Sequence, residues 1–276
     1  MTSLLDGLVD DAGLFPPTAL SMPDAVARHR ADRRAASSIL THRFLCRASR
    51  IAELRTQLQP GDRICVSLIA DNRQAGLTET LAQIEKDSAL DLAVVEFSPV
   101  GMDVAVADVI AALPQGIPAF VEPAAYADIA DLVPELARLG AGLKLRCGGL
   151  RPELFPSAAE LADALATAAR AGIPVKATAG LHHAVRYTDT HTGFTHHGFL
   201  NLVLASAAAA GGAAVAAIES TLLTDDALRL VRVATVLDGD AIASARALLT
   251  SYGSCSTTIP VAEAHAFGLI DTEGIR

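Results

Sequence analysis

Residues 141–149 read Ala141-Gly142-Leu143-Lys144-Leu145-Arg146-Cys147-Gly148-Gly149, and residues 172–180 read Gly172-Ile173-Pro174-Val175-Lys176-Ala177-Thr178-Ala179-Gly180. Between them Ser157 precedes an Ala- and Glu-rich run, which is helix-start chemistry. A short apolar run, a helix, a glycine turn and a second apolar run describe two parallel strands joined by a crossover helix. The pattern repeats outward in both directions. It predicts strands at Leu4–Val9, Ser38–Cys46, Arg63–Ala70, Leu90–Phe97, Ile117–Val121, Ala141–Arg146, Ile173–Thr178 and Ala213–Glu219. Helices are expected from near Pro23, Ala48, Gln74, Asp103, Ala125, Ser157, His197 and Asp225.

Eight strand–helix units at this spacing predict a single-domain (β/α)8 TIM barrel over residues 1–250, with a C-terminal extension, 251–276, packing on one end. A doubly wound open sheet is the rival, but it normally carries a glycine-rich phosphate turn after the first strand. Asp10-Asp11-Ala12-Gly13-Leu14-Phe15-Pro16-Pro17 stands there instead.

The chain has 276 residues, 51% of them apolar, only 4% aromatic and none Trp. The core must therefore be built from Ala, Val, Leu and Ile, as covered parallel sheets are. A net charge of −9 argues against nucleic acid or an anionic membrane as partner. A small-molecule substrate is the expected partner, and the oligomeric state stays open. Four widely spaced cysteines and an acidic start with no signal-peptide pattern predict a cytoplasmic protein. The 19 uncharged residues Leu200–Ile218 are long enough to span a bilayer, but they contain Asn201 and break at Gly211-Gly212. They are read as a helix, a glycine stop and a buried strand.

Charged residues fall at predicted strand ends: Asp71, Glu96, Glu122, Lys144 with Arg146, Lys176 and Glu219. In a barrel these ends converge on one mouth, where active sites form. Acids and bases there are costly to bury unless paired, so the ring is either an ion-pair network or a site. Lys144 and Lys176 lie on consecutive strands. A lysine desolvated beside a second cation loses its proton more readily and can attack a carbonyl. Arg146 and Lys176 are expected to press on Lys144 in this way. The adjacent-charge alternative is that both lysines merely neutralise Glu96, Glu122 or Glu219.

The stretch from Ile117 to Gly180 resembles class I aldolases of the deoxyribose-phosphate aldolase type. These carry a lysine on strand six and another on strand seven, each followed by small residues and glycine. The resemblance implies a Schiff base at Lys144, tuned by Lys176, with Glu96 in the place of the family's strand-four acid. The family's strand-eight phosphate turn is replaced by Glu219-Ser220, which implies a substrate without phosphate, since a carboxylate repels one.

Five of the eight histidines, His182, His183, His191, His196 and His197, follow strand seven. They can shuttle protons, bind substrate or hold a divalent metal, although no named metal signature matches. The reading is an aldolase- or lyase-like enzyme acting on a small carbonyl compound. Lys144, Lys176, Glu96, Glu122 and His183 are its catalytic candidates. Asp71, Arg146, His182, His197 and Glu219 are the substrate-binding ones. No cofactor is required and no residue is assigned to a metal. Two alternatives stay open: a metal-dependent lyase or hydrolase using the histidine loop, and a non-catalytic metabolite-binding barrel. Asp10 can join the mouth or be an ordinary strand-end polar residue, and Cys147 and Cys255 are read as inert packing.

Overall fold

The computed structural model describes residues 3–72 and 74–270. The barrel strands are β1 (Val9–Asp11), β2 (Leu40–Arg47), β3 (Ile64–Ala70), β4 (Leu90–Phe97), β5 (Ala119–Val121), β6 (Gly142–Arg146), β7 (Val175–Thr178) and β10 (Leu249–Ser254). They pair in parallel and close in the order β1-β10-β7-β6-β5-β4-β3-β2. The TIM barrel is therefore present. The two remaining strands, β8 (Tyr187–Thr188) and β9 (Thr195–His196), form a small antiparallel ribbon after β7.

Period-two alternation decides which side chains enter the barrel. Leu143 and Leu145 of β6, like Val66, Leu68 and Ala70 of β3, join the apolar core between strands and helices. Lys144, Arg146 and Ser67 take the opposite face. That core is continuous with the buried faces of α1 (Met22–Ala35), α2 (Ile51–Arg55), α3 (Gln74–Glu85), α5 (Val106–Ala111), α6 (Ile129–Leu139) and α7 (Ala158–Ala171). A short α4 (Pro99–Met102) precedes α5. Helix α7 starts as expected: Ser157 Oγ accepts from Glu160 N at 3.1 Å, and Glu160 returns a carboxylate to the Ser157 N–H at 2.8 Å.

The last unit differs from its sequence reading. Ala213–Glu219 is not a strand; it lies at the start of helix α9 (Val215–Leu223), which packs on α7 and on α8 (Phe199–Ala210). A short Ala-rich run suits either element by pattern, and alanine's helix preference prevails. Helices α10 (Ala227–Val236) and α11 (Gly239–Leu248) follow, and only then the eighth barrel strand, β10. The boundary expected at 250 thus falls inside a strand. After β10 comes α12 (Thr258–Ala266), and residues 271–276 of the expected extension lie outside the described residues.

Helix α8 is buried along almost its whole length, which explains the uncharged run. Its Asn201 is fully used: Oδ1 accepts from Arg186 N at 2.9 Å, and Nδ2 donates to the carbonyls of Thr221 and Thr224 at 2.9 and 2.7 Å. No helix among the described residues is long and apolar enough to cross a membrane. At the opposite end from the mouth, Arg246 donates to the carbonyls of Gly7, Leu249 and Thr250 at 2.7–2.9 Å, tying the starts of β1 and β10 together.

Candidate active site

A side chain on β7 can meet one on β4 only through the barrel interior, because β5 and β6 stand between them on the wall. Lys176 makes that contact: its Nζ lies 2.8 Å from Glu96 Oε1. It also bonds the Asp10 carboxylate from β1 and donates to Ser67 Oγ at 3.2 Å. Ser67 in turn donates to Glu96 Oε1 at 2.6 Å. Asp10 is held by Thr41 Oγ1 at 2.6 Å and Ser251 Oγ at 2.9 Å. Glu96 and Lys176 have no solvent exposure.

Lys144 sits opposite Lys176 in the β6–β7 register. Its Nζ lies 3.1 Å from Glu96 Oε2 and 3.0 Å from Glu122 Oε2. Glu122, just beyond β5, also accepts from Arg146 Nε at 2.7 Å. Three carboxylates therefore face three cations. Burial alone would raise the Glu96 carboxyl, but Lys176 and then Lys144 hold it down to about 2. Burial likewise opposes ionisation of Glu122, and Lys144 with Arg146 outweighs it, so its pKa falls. For Lys176, burial favours the free amine, yet Asp10 and Glu96 prevail and the pKa rises.

These contacts correct the expected tuning. Arg146 does not press on Lys144; it spends its charge on Glu122. Lys176 cannot supply an uncompensated cation, because two carboxylates hold it. The lysines also lie below the strand ends rather than at them, two residues short of Arg146 and Thr178. The mouth above Lys176 is filled: a side chain at Gly253 would come within 3.0 Å of Leu45, 3.6 Å of Ala12 and 3.8 Å of Thr178. Above Lys144 stands the Arg146–Glu122 pair, with the Arg146 side chain 38% exposed. Lys144 is thus the more accessible of the two amines.

The chain turns off β7 through Ala179 and Gly180, at φ 62° and 74°. Gly180 is required, since a Cβ there would sit 2.6 Å from the Cys147 carbonyl oxygen. The loop that follows is anchored from α12: Glu263 accepts from the Ala184 N–H and meets His183 Nδ1, both at 2.5 Å. His196 Nδ1 bonds the Gly180 carbonyl at 3.0 Å, and Tyr187 stacks on its ring at 4.8 Å. Burial lowers the pKa of His182, His196 and His197. No group of three or more His, Cys, Asp or Glu among the described residues is placed to hold a metal ion.

The structure brings together Lys144, Lys176, Glu96, Glu122 and Arg146. It does not bring in Asp71, whose carboxylate accepts from Ser49 N and Oγ at 3.0 and 2.6 Å and fixes the turn after β2. Glu219 is excluded, being on α9. His197 turns away to the Pro156 carbonyl at 2.9 Å, and His183 serves the loop anchor. His182 Nδ1 lies 3.5 Å from Cys255 Sγ, so Cys255 does have an imidazole beside it, contrary to the sequence reading.

Ser67 and Ser251 are site residues that sequence reasoning left aside, and Asp10, which it allowed at the mouth but did not choose, is in the network. One signal for the interior was available. Lys86, Lys144 and Lys176 are the chain's only lysines, against 22 lysines and arginines together. Where nearly every other cation is arginine, two lysines on adjacent strands mark a place that needs a compact ammonium.

Comparison of the chain with protein-family profiles, with curated proteins and with solved structures gave no match in any of the three.

Proposed function

We propose that this barrel is a carbon–carbon lyase of the class I aldolase type, acting on a small carbonyl compound through an imine at Lys144. The observation that carries the reading is the shared carboxylate: two buried lysines, in register on neighbouring strands, both contact Glu96. An enzyme that forms an imine exchanges one cation, the ammonium, for another, the iminium. Glu96, kept ionised by Lys176, pairs with either, so the charge balance of the interior is preserved through the reaction.

Each residue has a task in that scheme. Glu122, the acid nearer the mouth, takes a proton from Lys144. The freed amine attacks the carbonyl carbon, and the carbonyl oxygen leaves as water after accepting two protons. The bond between the α and β carbons then breaks: its electron pair moves through the α carbon to the iminium nitrogen, leaving an enamine, while the β-hydroxyl gives up its proton and becomes the carbonyl of the first product. Protonation of the enamine at the α carbon and attack by water release the second product and restore Lys144. Lys176 remains an ammonium throughout and fixes Glu96. Arg146 positions Glu122.

The test is reductive trapping. The protein is incubated with acetaldehyde, pyruvate or dihydroxyacetone, borohydride is added, and the modified lysine is located by mass spectrometry. With three lysines in the chain, assignment is direct. The expected adduct is on Lys144 and is absent from Lys144→Met. Modification of Lys86 alone, or none with any carbonyl, overturns the reading.

A second reading has its own support. Lys176 is fully buried between two acids, and the network is charge-balanced, as a purely structural ionic core would be. A folded, binding-competent protein that never forms an adduct would favour it.

A further inference from the structure

Outside the lysine network, a cavity of about 310 Å³ opens between the segment after β6 and the loop after β7. Its size is at the small end of ligand sites, which span roughly 300–1,000 Å³. Four features of its wall are chemically specific. Arg186 lines it, half-buried, and its guanidinium forms no ion pair among the described residues. Phe155 and Phe194 line it as a tilted pair, ring centres 5.1 Å apart at 51°. His197 lines it too and is only 5% exposed.

The histidine fixes its own tautomer. His197 Nε2 lies 2.9 Å from the Pro156 carbonyl, which can only accept, so Nε2 carries the hydrogen. Burial keeps the ring neutral. Nδ1 is then a buried acceptor, and it has no hydrogen-bond partner among the described residues. Such an atom costs stability unless something donates to it. The start of α7 also borders the cavity, but the Ser157 N–H and hydroxyl are already bound by Glu160 at 2.8 and 2.7 Å. Ser157 is therefore not the anchor.

We propose that this cavity binds a small organic carboxylate that carries a hydroxyl and a flat apolar group. The carboxylate pairs with Arg186, the apolar body packs on Phe155 and Phe194, and the hydroxyl donates to His197 Nδ1, which lies covered in the cavity wall and is reached as the neighbouring side chains give way. The site is separate from Lys144. Phe155 forms the wall on the barrel side: its ring edge would lie 3.1 Å from a Cβ on Gly148 at the tip of β6, and it meets His196 edge-on at 4.8 Å.

Three probes dissect the site by calorimetric titration of the full chain: mandelate has all three features, benzoate lacks the hydroxyl, and benzyl alcohol lacks the charge. Mandelate should bind saturably and most tightly. Arg186→Met should weaken mandelate about tenfold and leave benzyl alcohol unchanged, as loss of a charge-assisted contact would. His197→Phe should erase the preference for mandelate over benzoate. Lys144→Met, whose fold is checked by circular dichroism because the residue belongs to the ionic network, should bind mandelate as the unaltered protein does. In the unaltered protein, mandelate should shift the His197 ring resonances, a readout that does not depend on any variant folding. Absence of saturable binding overturns the proposal. So does affinity unchanged in Arg186→Met, or affinity lost in Lys144→Met, which would put the ligand at the lysine site.

Discussion

Lys144 and Lys176 face each other across the β6–β7 seam, and Glu96 reaches both, at 3.1 and 2.8 Å. Two ammonium groups so placed would repel strongly in a dry interior without that carboxylate between them. The pair and its acid are therefore one electrostatic unit, and removing any member unbalances the others.

This unit can be weighed by denaturation. Lys176→Met leaves Asp10 and Glu96 buried beside each other with one cation fewer, and should cost about 3–5 kcal/mol, the usual penalty for breaking a buried pair. Glu96→Gln should cost a similar amount. Combining them should cost clearly less than the sum, because each variant removes the partner that the other strands. Additive losses in urea midpoints would show that the contacts are not coupled.

The pH dependence has a definite sign. A free glutamate titrates at about 4.3, and Glu96 in the fold is held down to about 2. Its stabilisation is complete above the free value and disappears as the pH falls through the folded one. Lys176, whose pKa is raised, contributes fully below the free lysine value of about 10.4 and loses its contribution only as the pH climbs past it. Stability should stay flat between these limits as far as this unit decides it. Glu96→Gln should flatten the acid limb, and an unchanged acid limb in that variant would contradict the assignment.

Cysteine reactivity should be uneven. Burial pushes Cys46 and Cys147 up to about 12, far from thiolate at neutral pH. Cys255 has His182 Nδ1 at 3.5 Å, and burial keeps that imidazole neutral and able to accept a proton. Iodoacetamide should therefore modify Cys255 before Cys46 or Cys147, as peptide mapping would show, and His182→Ala should slow it several-fold. Equal rates with and without His182 would leave the pair without chemical meaning.

The loop after β7 hangs on Glu263. Its carboxylate holds His183 and the Ala184 N–H from α12. Glu263→Ala should raise amide hydrogen exchange across residues 181–198 while leaving β6 and β7 protected. Unchanged exchange in the loop would mean that the His196–Gly180 contact and the Tyr187 stack suffice to hold it.

Six of the barrel strands were legible because their outward faces are apolar and their ends carry turn chemistry. The first was expected too early, at Leu4–Val9, and meets β1 (Val9–Asp11) only at Val9. β4 is bounded in the sequence reading as it is in the structure, Leu90–Phe97. The eighth strand was missed for a physical reason. Its residues Leu249-Thr250-Ser251-Tyr252-Gly253-Ser254 place serine and glycine toward the interior, where small groups leave room for Lys176 and hydrogen-bond Asp10. That spoils the apolar pattern by which a covered strand is recognised. Lys144, Lys176, Glu96 and Glu122 were legible as charges set in apolar runs. Asp10 was weighed for the mouth but not chosen, because a strand of three residues with two adjacent aspartates gives no phase. The pairing itself, which acid holds which lysine, depends on contacts across the barrel that no local pattern encodes.

The seam between β1 and β10 sets the order in which this molecule can be made. Asp10 meets Lys176 and Ser251 across sequence separations of 166 and 241 residues. During synthesis Ser251 is added 241 residues after Asp10, and only then can β1 acquire its second neighbour. Until then Asp10 must stay hydrated, and the exposed edge of β1 is open to pairing with other chains. Closing so long a loop is entropically slow, so the ionic interior assembles last, after the helices and the local strand pairs. The network that balances six charges thus forms as the barrel closes, and a nascent chain halted before Leu249 would display its acids and lysines to solvent and to its neighbours.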